Sequence, residues 1–117
     1  MPFNDLREFI DAARKLDQVK DIHGAHWNLE IGALTEIFAF KEPSPLVVFD
    51  QIPDHGPNFR VASNLITNPV RSGLTVGMAA DARPIELVAR WKELLKSVKP
   101  IPPRTVSSGP SGRSPEA

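Results

Sequence analysis

Pro45-Leu46-Val47-Val48-Phe49-Asp50-Gln51-Ile52-Pro53-Asp54-His55-Gly56-Pro57-Asn58-Phe59-Arg60-Val61 is the stretch on which the fold turns. Residues 46–49 form an unbroken apolar run rich in β-branched side chains. Such a run reads as a strand buried on both faces. Pro53 to Asn58 is turn chemistry, with two prolines, a glycine and two Asx residues. Phe59, Val61, Ser63 and Leu65 then alternate with Arg60, Ala62 and Asn64, the period-two pattern of a second strand. Two strands joined by the six residues 53–58 predict a β-hairpin.

Helical patterns surround this hairpin. Asn4 or Asp5 can cap a first helix, whose face is Leu6, Phe9, Ile10, Ala13 and Leu16 at spacings of three and four. Val19-Lys20-Asp21-Ile22 reads as a short strand. A second helix is predicted from near Asn28, with Leu29, Ile31, Leu34, Ile37 and Phe38 as its stripe and Glu30 favourably placed at the positive end of its dipole. Gly32 inside it costs up to ~1 kcal/mol relative to alanine and suggests a close backbone contact. Pro43 and Pro45 end that helix. Asn68-Pro69 opens a third helix by cap and N1 proline, with Val70, Leu74 and Met78 inward and Gly73 and Gly77 as a small packing face. Pro84 opens a fourth, with Ile85, Val88, Trp91, Leu94 and Leu95 as its core face and a Glu86–Arg90 pair. The fold class expected is α+β, a small sheet with a hairpin packed against about four helices. After Lys99 the prolines at 100, 102 and 103 force extended chain. The division is therefore a domain over 1–99 and a Pro/Ser/Gly-rich linker or tail over 100–117.

Composition narrows the function. The 117 residues suit one domain, and 41% hydrophobic with 24% charged residues is globular usage. A net charge of zero argues against a dedicated nucleic-acid or membrane-surface binder. That zero hides an asymmetry: residues 1–58 carry 5 basic and 10 acidic groups, residues 59–117 carry 9 and 4. The halves can attract within one fold, or the basic half can meet an anionic partner. With no cysteine and no tyrosine, thiol nucleophiles, thiolate metal sites and tyrosine acid/base chemistry are excluded. No run approaches the ~20 apolar residues of a membrane span, and the acidic N-terminus lacks the apolar core of a secretory signal. The expected location is the cytoplasm.

The candidate chemistry is sparse. His23 and His26, with Asp21, Glu30 and His55 beside Asp54, could supply a zinc or iron site. They fall in irregular segments without the tight spacing of metal motifs, so surface-loop histidines are expected. Asp50 and Asp54 could pair for acid/base work, or serve as turn residues. Ser63, Ser72 and Ser107 lack a nucleophile-elbow setting. Gly73 and Gly77 match no phosphate loop. Trp91 falls on a helix stripe and reads as core. Trp27 reads as a staple against Ile31 or Ala33 one turn into the second helix.

Five stretches in order resemble the N-terminal region of the UbiD family of carboxy-lyases. Leu6-Arg7-Glu8-Phe9-Ile10 is similar to that family's start. His26-Trp27-Asn28-Leu29-Glu30-Ile31-Gly32-Ala33-Leu34-Thr35-Glu36 resembles its "D-W-x-L-E-I-G-A-I-T-E" signature, with His26 where an acid often stands. Pro45 to Pro53 resembles "P-A-L-L-F-D-N-I-P". Phe59-Arg60-Val61 through Asn64 to Pro69 resembles "F-R-V-x-x-N-x-x-x-S-P". Pro100-Ile101-Pro102-Pro103 and Val106 to Pro110 resemble the linker into the cofactor domain. The resemblance implies non-oxidative removal or addition of a carboxyl group on aromatic or α,β-unsaturated acids. It implies prenylated FMN with a divalent metal, manganese or magnesium, and potassium, and a Glu-Arg-Glu set for protons. These belong to the cofactor domain, which the residues after Pro110 do not resemble. No residue here is therefore expected to be catalytic, cofactor-binding or metal-binding. The expected role is an N-terminal domain or split subunit docking on a larger catalytic subunit, in a complex that could itself form homo-oligomers. The alternatives are a truncated, non-functional fragment, or a small protein-binding module using the basic half.

Overall fold

In a computed structural model, residues 3–106 are described. The elements run α1 (Leu6–Lys15), β1 (Val19–His23), α2 (Glu30–Ala39), β2 (Leu46–Asp50), β3 (Val61–Ser63), α3 (Pro69–Thr75) and α4 (Pro84–Ser97). The architecture is α+β, as the patterns imply. The expected tail from Ser107 onward lies outside the described residues.

β2 is the centre. Its neighbours are β1, parallel, with Val19 opposite Leu46 and His23 opposite Asp50, and β3, antiparallel, with Val47 opposite Ser63 and Phe49 opposite Val61. Leu46, Val47, Val48 and Phe49 are all buried, which is why the run does not alternate. Leu46 and Val48 face Phe9 and Ala13 of α1, with Leu74 of α3 against that cluster. Val47 and Phe49 face Ala25 and the α2 side chains Ile31, Leu34 and Phe38. The parallel β1–β2 pair with α2 as its crossover puts helices on both faces of the sheet.

The hairpin forms with different limits. Its loop is residues 51–60, and β3 has only three residues. Phe59 is held out of the strand by a turn in which its N–H donates to the Gly56 carbonyl at 3.0 Å. Asn64, at φ +55°, ends β3 at the other side.

Helix termini follow local chemistry. Asp5 caps α1, accepting from the Glu8 N–H at 2.9 Å. At the end of α1, Asp17 adopts φ +56° while its N–H and that of Gln18 bond the Arg14 and Ala13 carbonyls. α3 ends in the same double-bonded arrangement. Gly77, at φ +73°, donates to the Leu74 carbonyl and Met78 to the Gly73 carbonyl. Gly77 thus lies beyond α3 as its terminator, which corrects the expected two-glycine helix face.

Several expected contacts are absent. Nothing lies within 4 Å of where a Cβ on Gly32 would sit, so no backbone approaches there. α2 starts at Glu30 rather than Asn28 because the Glu30 N–H bonds the Asn28 carbonyl at 3.0 Å across Leu29 at φ +71°, a strained γ-turn. Leu29 and Ile37 are exposed, so the α2 stripe is narrower than its spacing suggests. Glu86 turns back to Arg83, at 3.0 Å, rather than forward to Arg90. Trp91 is 54% exposed and is not core.

Candidate functional site

The carboxyl ends of the parallel strands β1 and β2 lie side by side. Clefts of βαβ units commonly open at this edge. Register sets His23 against Asp50, and the His23 Nδ1 contacts the Asp50 carboxylate directly. Gly24, at φ +75°, turns the chain out of β1, and its N–H donates to the Asp50 carbonyl at 3.1 Å. His26 follows. Its Nδ1 accepts from the Asn28 N–H at 3.1 Å, so the proton of the neutral ring sits on Nε2, 3.7 Å from Asp54 Oδ2. The His26 N–H donates to Glu30 Oε2 at 2.6 Å, which ties this loop to the first residue of α2.

Four rings line up across this edge. His26 stacks on Trp27 with centroids 5.5 Å apart, Trp27 meets His55 edge-on at 6.4 Å, and His55 meets Phe59 at 5.9 Å. Trp27 therefore packs on histidines and stays largely exposed, correcting the staple reading. His26 and His55 are surface-loop groups, as expected, whereas His23 is the last residue of β1, which corrects the loop reading for that residue. The order in which the β1–α2 and β2–β3 loops bring them together could not be read from spacing. Asp50 and Asp54 each face a different histidine rather than each other. Among the described residues no three of His, Cys, Asp and Glu converge as metal ligands. Asp21 is engaged elsewhere: Arg14 grips it from α1, with one contact at 2.9 Å, and this guanidinium holds its carboxyl below the usual range.

The serines are structural. Ser63 accepts from Thr35 at 3.0 Å, and Ser72 donates to the Ile66 carbonyl at 3.0 Å. Ser107 lies outside the described residues. A shallow cleft of about 610 Å³ opens between α1 and β3, with Ile10, Val48 and Val61 as floor and Arg7, Arg14 and Arg60 around it.

Arg71 was not singled out by motif. It is fully buried, and among the described residues no carboxylate pairs with it. Its guanidinium donates to the carbonyls of Leu65 at 2.9 Å and Asn64 at 3.0 Å, to Gln18 Oε1 at 2.8 Å and to Thr67 Oγ1 at 2.9 Å. Burial pushes its pKa down. The one hint in the sequence is its position three residues before Leu74, on the inward side of α3. Its work is to pin the β3–α3 connection to the start of β1.

Comparison with known proteins settles the family. The model of the 3-octaprenyl-4-hydroxybenzoate carboxy-lyase N-terminal domain, UbiD_N, matches residues 10–91. The chain belongs to the UbiD N-terminal domain family. Two solved structures share the fold, both of the vanillic acid decarboxylase of Sedimentibacter hydroxybenzoicus, ShVdcCD, in open form. The one with a truncated ShVdcD has a TM-score of 0.70 at 21% identity, and the other 0.68 at 22%. Each match covers 89% of this chain and 22% of that chain, so this UbiD N-terminal domain spans about a fifth of their length. No curated protein matches the sequence.

Within the UbiD N-terminal domain, the family-like stretches map onto one region. Residues 26–36 are the β1–α2 loop and most of α2, residues 45–53 are β2 and its exit, and residues 59–69 carry β3 to the start of α3.

Proposed function

We propose that this chain is the N-terminal, non-catalytic part of a UbiD-like carboxy-lyase that adds or removes a carboxyl group on aromatic or α,β-unsaturated acids without net oxidation. The observation that carries this reading is the family match over residues 10–91 on a fold that aligns with a decarboxylase structure. Prenylated FMN, a divalent metal and potassium would be held by the larger, cofactor-bearing part, and no step is assigned to residues of this chain. The ShVdcCD name denotes more than one component, which supports a larger partner subunit. No helix among the described residues is long and apolar enough to cross a membrane, and a cytoplasmic complex is proposed.

The test is a reconstitution. The purified chain, given prenylated FMN, manganese and potassium, should release no CO2 from vanillate or 4-hydroxybenzoate. The separately purified cofactor-bearing polypeptide should gain decarboxylase activity when the chain is added. Turnover by the chain alone, or a cofactor-bearing part indifferent to it, refutes the reading.

A further inference from the structure

We propose that the exposed apolar stripe of α4 seats in a carboxylate-edged apolar groove on the part of a UbiD-family enzyme that lies beyond its N-terminal domain. The partner's identity rests on the function proposed above; the chemistry of the groove rests on α4 itself.

Val88, Trp91, Leu95 and Val98 fall at i, i+3, i+7 and i+10, the anchor spacing of a helix laid into a groove. Val88 and Trp91 are about half exposed, and Leu95 and Val98 are 66% and 65% exposed. No residue of the helix is buried; α3 is its main neighbour, and Leu87 and Leu94 are its only half-buried positions. Single exposed apolar residues are ordinary, but a stripe running about 15 Å along one helix marks a contact surface. Tryptophan at its centre suits the residue type that dominates binding energy at such surfaces.

The charges choose the groove. At 100° per residue, Lys92 and Lys96 run along one edge of the stripe. Arg90 stands beyond Leu94 at the other, and Glu86 and Glu93 lie on the back. From Arg83 to Arg104 the chain carries Arg83, Arg90, Lys92, Lys96, Lys99 and Arg104 against only those two acids. A groove lined by apolar side chains and edged by Asp or Glu complements this pattern, and like-charged surfaces are rejected. The family match supplies the occupant: this domain is one defined as N-terminal, and the match takes up only 22% of the aligned chain.

The experiment titrates the 117-residue chain into the cofactor-bearing polypeptide by calorimetry, with decarboxylation of vanillate measured on the same mixtures. Trp91→Ala should weaken binding at least tenfold, and Leu95→Asp should abolish it. Lys92→Glu with Lys96→Glu should weaken it several-fold and flatten its salt dependence. Phe40→Ala, an exposed apolar change at the C-cap of α2, should leave binding unchanged. Circular dichroism should show all variants folded, since none of these side chains is buried. Wild-type affinity in Trp91→Ala and Leu95→Asp overturns the proposal. So does self-association of the chain lost in Leu95→Asp, or equal binding of α4 to phosphatidylglycerol vesicles. Binding through α4 without decarboxylation refutes the proposed function and leaves the docking surface standing. Decarboxylation with affinity indifferent to Trp91 does the reverse.

Discussion

Arg71 carries a charge into the interior with no opposite charge among the described residues to meet it. Its acceptors are two carbonyls, an amide oxygen and a hydroxyl, all neutral. Such an arrangement stabilises through hydrogen bonds to an ionised donor rather than through ion pairing. Removing the guanidinium would strand the Leu65 carbonyl and leave the Asn64 carbonyl to the Thr67 hydroxyl alone, at 3.2 Å. An acceptor left unpaired costs about 1–3 kcal/mol. Arg71→Met, close in volume, should therefore lower the free energy of urea unfolding by roughly 1–3 kcal/mol. Arg71→Lys should recover little, because an ammonium cannot reach four acceptors spread over a planar fork. A Met variant as stable as the parent would mean that the carbonyls find other partners, and the pinning role would fall.

Element by element, legibility in the sequence tracked how much of each element's fate was local. The α1 and α3 starts were readable because Asp5 and Asn68 bond the first turn directly. β2 was readable because burial on both faces leaves an unbroken apolar run. The strand ends were not, since turn bonds to Phe59 and the left-handed Asn64 decide them. The apolar face of α4 was legible as a pattern, but its destination was not: periodicity says that a face must be covered, never by what. The stacking of His26, Trp27, His55 and Phe59 depends on two loops meeting and leaves no spacing signal. The α1 terminus shows a local rule working against residue type. Asp17 sits at φ +56° after the helix, where glycine is preferred by about 1 kcal/mol. Its exposed side chain makes no hydrogen bond among the described residues. Asp17→Gly should raise the thermal midpoint by a few degrees, as relief of ~1 kcal/mol does in a domain this size. An unchanged or lowered midpoint would show that the added freedom of glycine in the unfolded chain outweighs the relieved strain.

At the scale of the molecule, the core is concentrated on β2. Five of the buried apolar residues lie between Leu46 and Ile52, and two more, Phe9 and Ala13, come from α1. α1 therefore matters out of proportion to its length, and its attachment has an electrostatic part. Arg14 of α1 grips Asp21 of β1 across the layer, and that pair, about 34–47% exposed, holds the Asp21 carboxyl below the usual range. Asn4 does the same for Glu8 by hydrogen bonds, and Arg83 for Glu86. A carboxyl whose pKa is lowered by folding binds fewer protons in the native chain than in the unfolded one. Its contribution is thus complete above the unfolded value of about 4 and is lost as pH falls through the lower folded value. The urea midpoint should be level from pH 7 to about 5 and fall steeply below about 4. Protonation of the acidic residues of the first half also leaves the basic groups unopposed, which adds repulsion across the same layer. Asp21→Asn should lower the midpoint at pH 7 and flatten its fall in acid. An acid limb as steep in Asp21→Asn as in the parent would mean that the α1–β1 pair contributes nothing, and that the other carboxylates alone make the fold acid-labile.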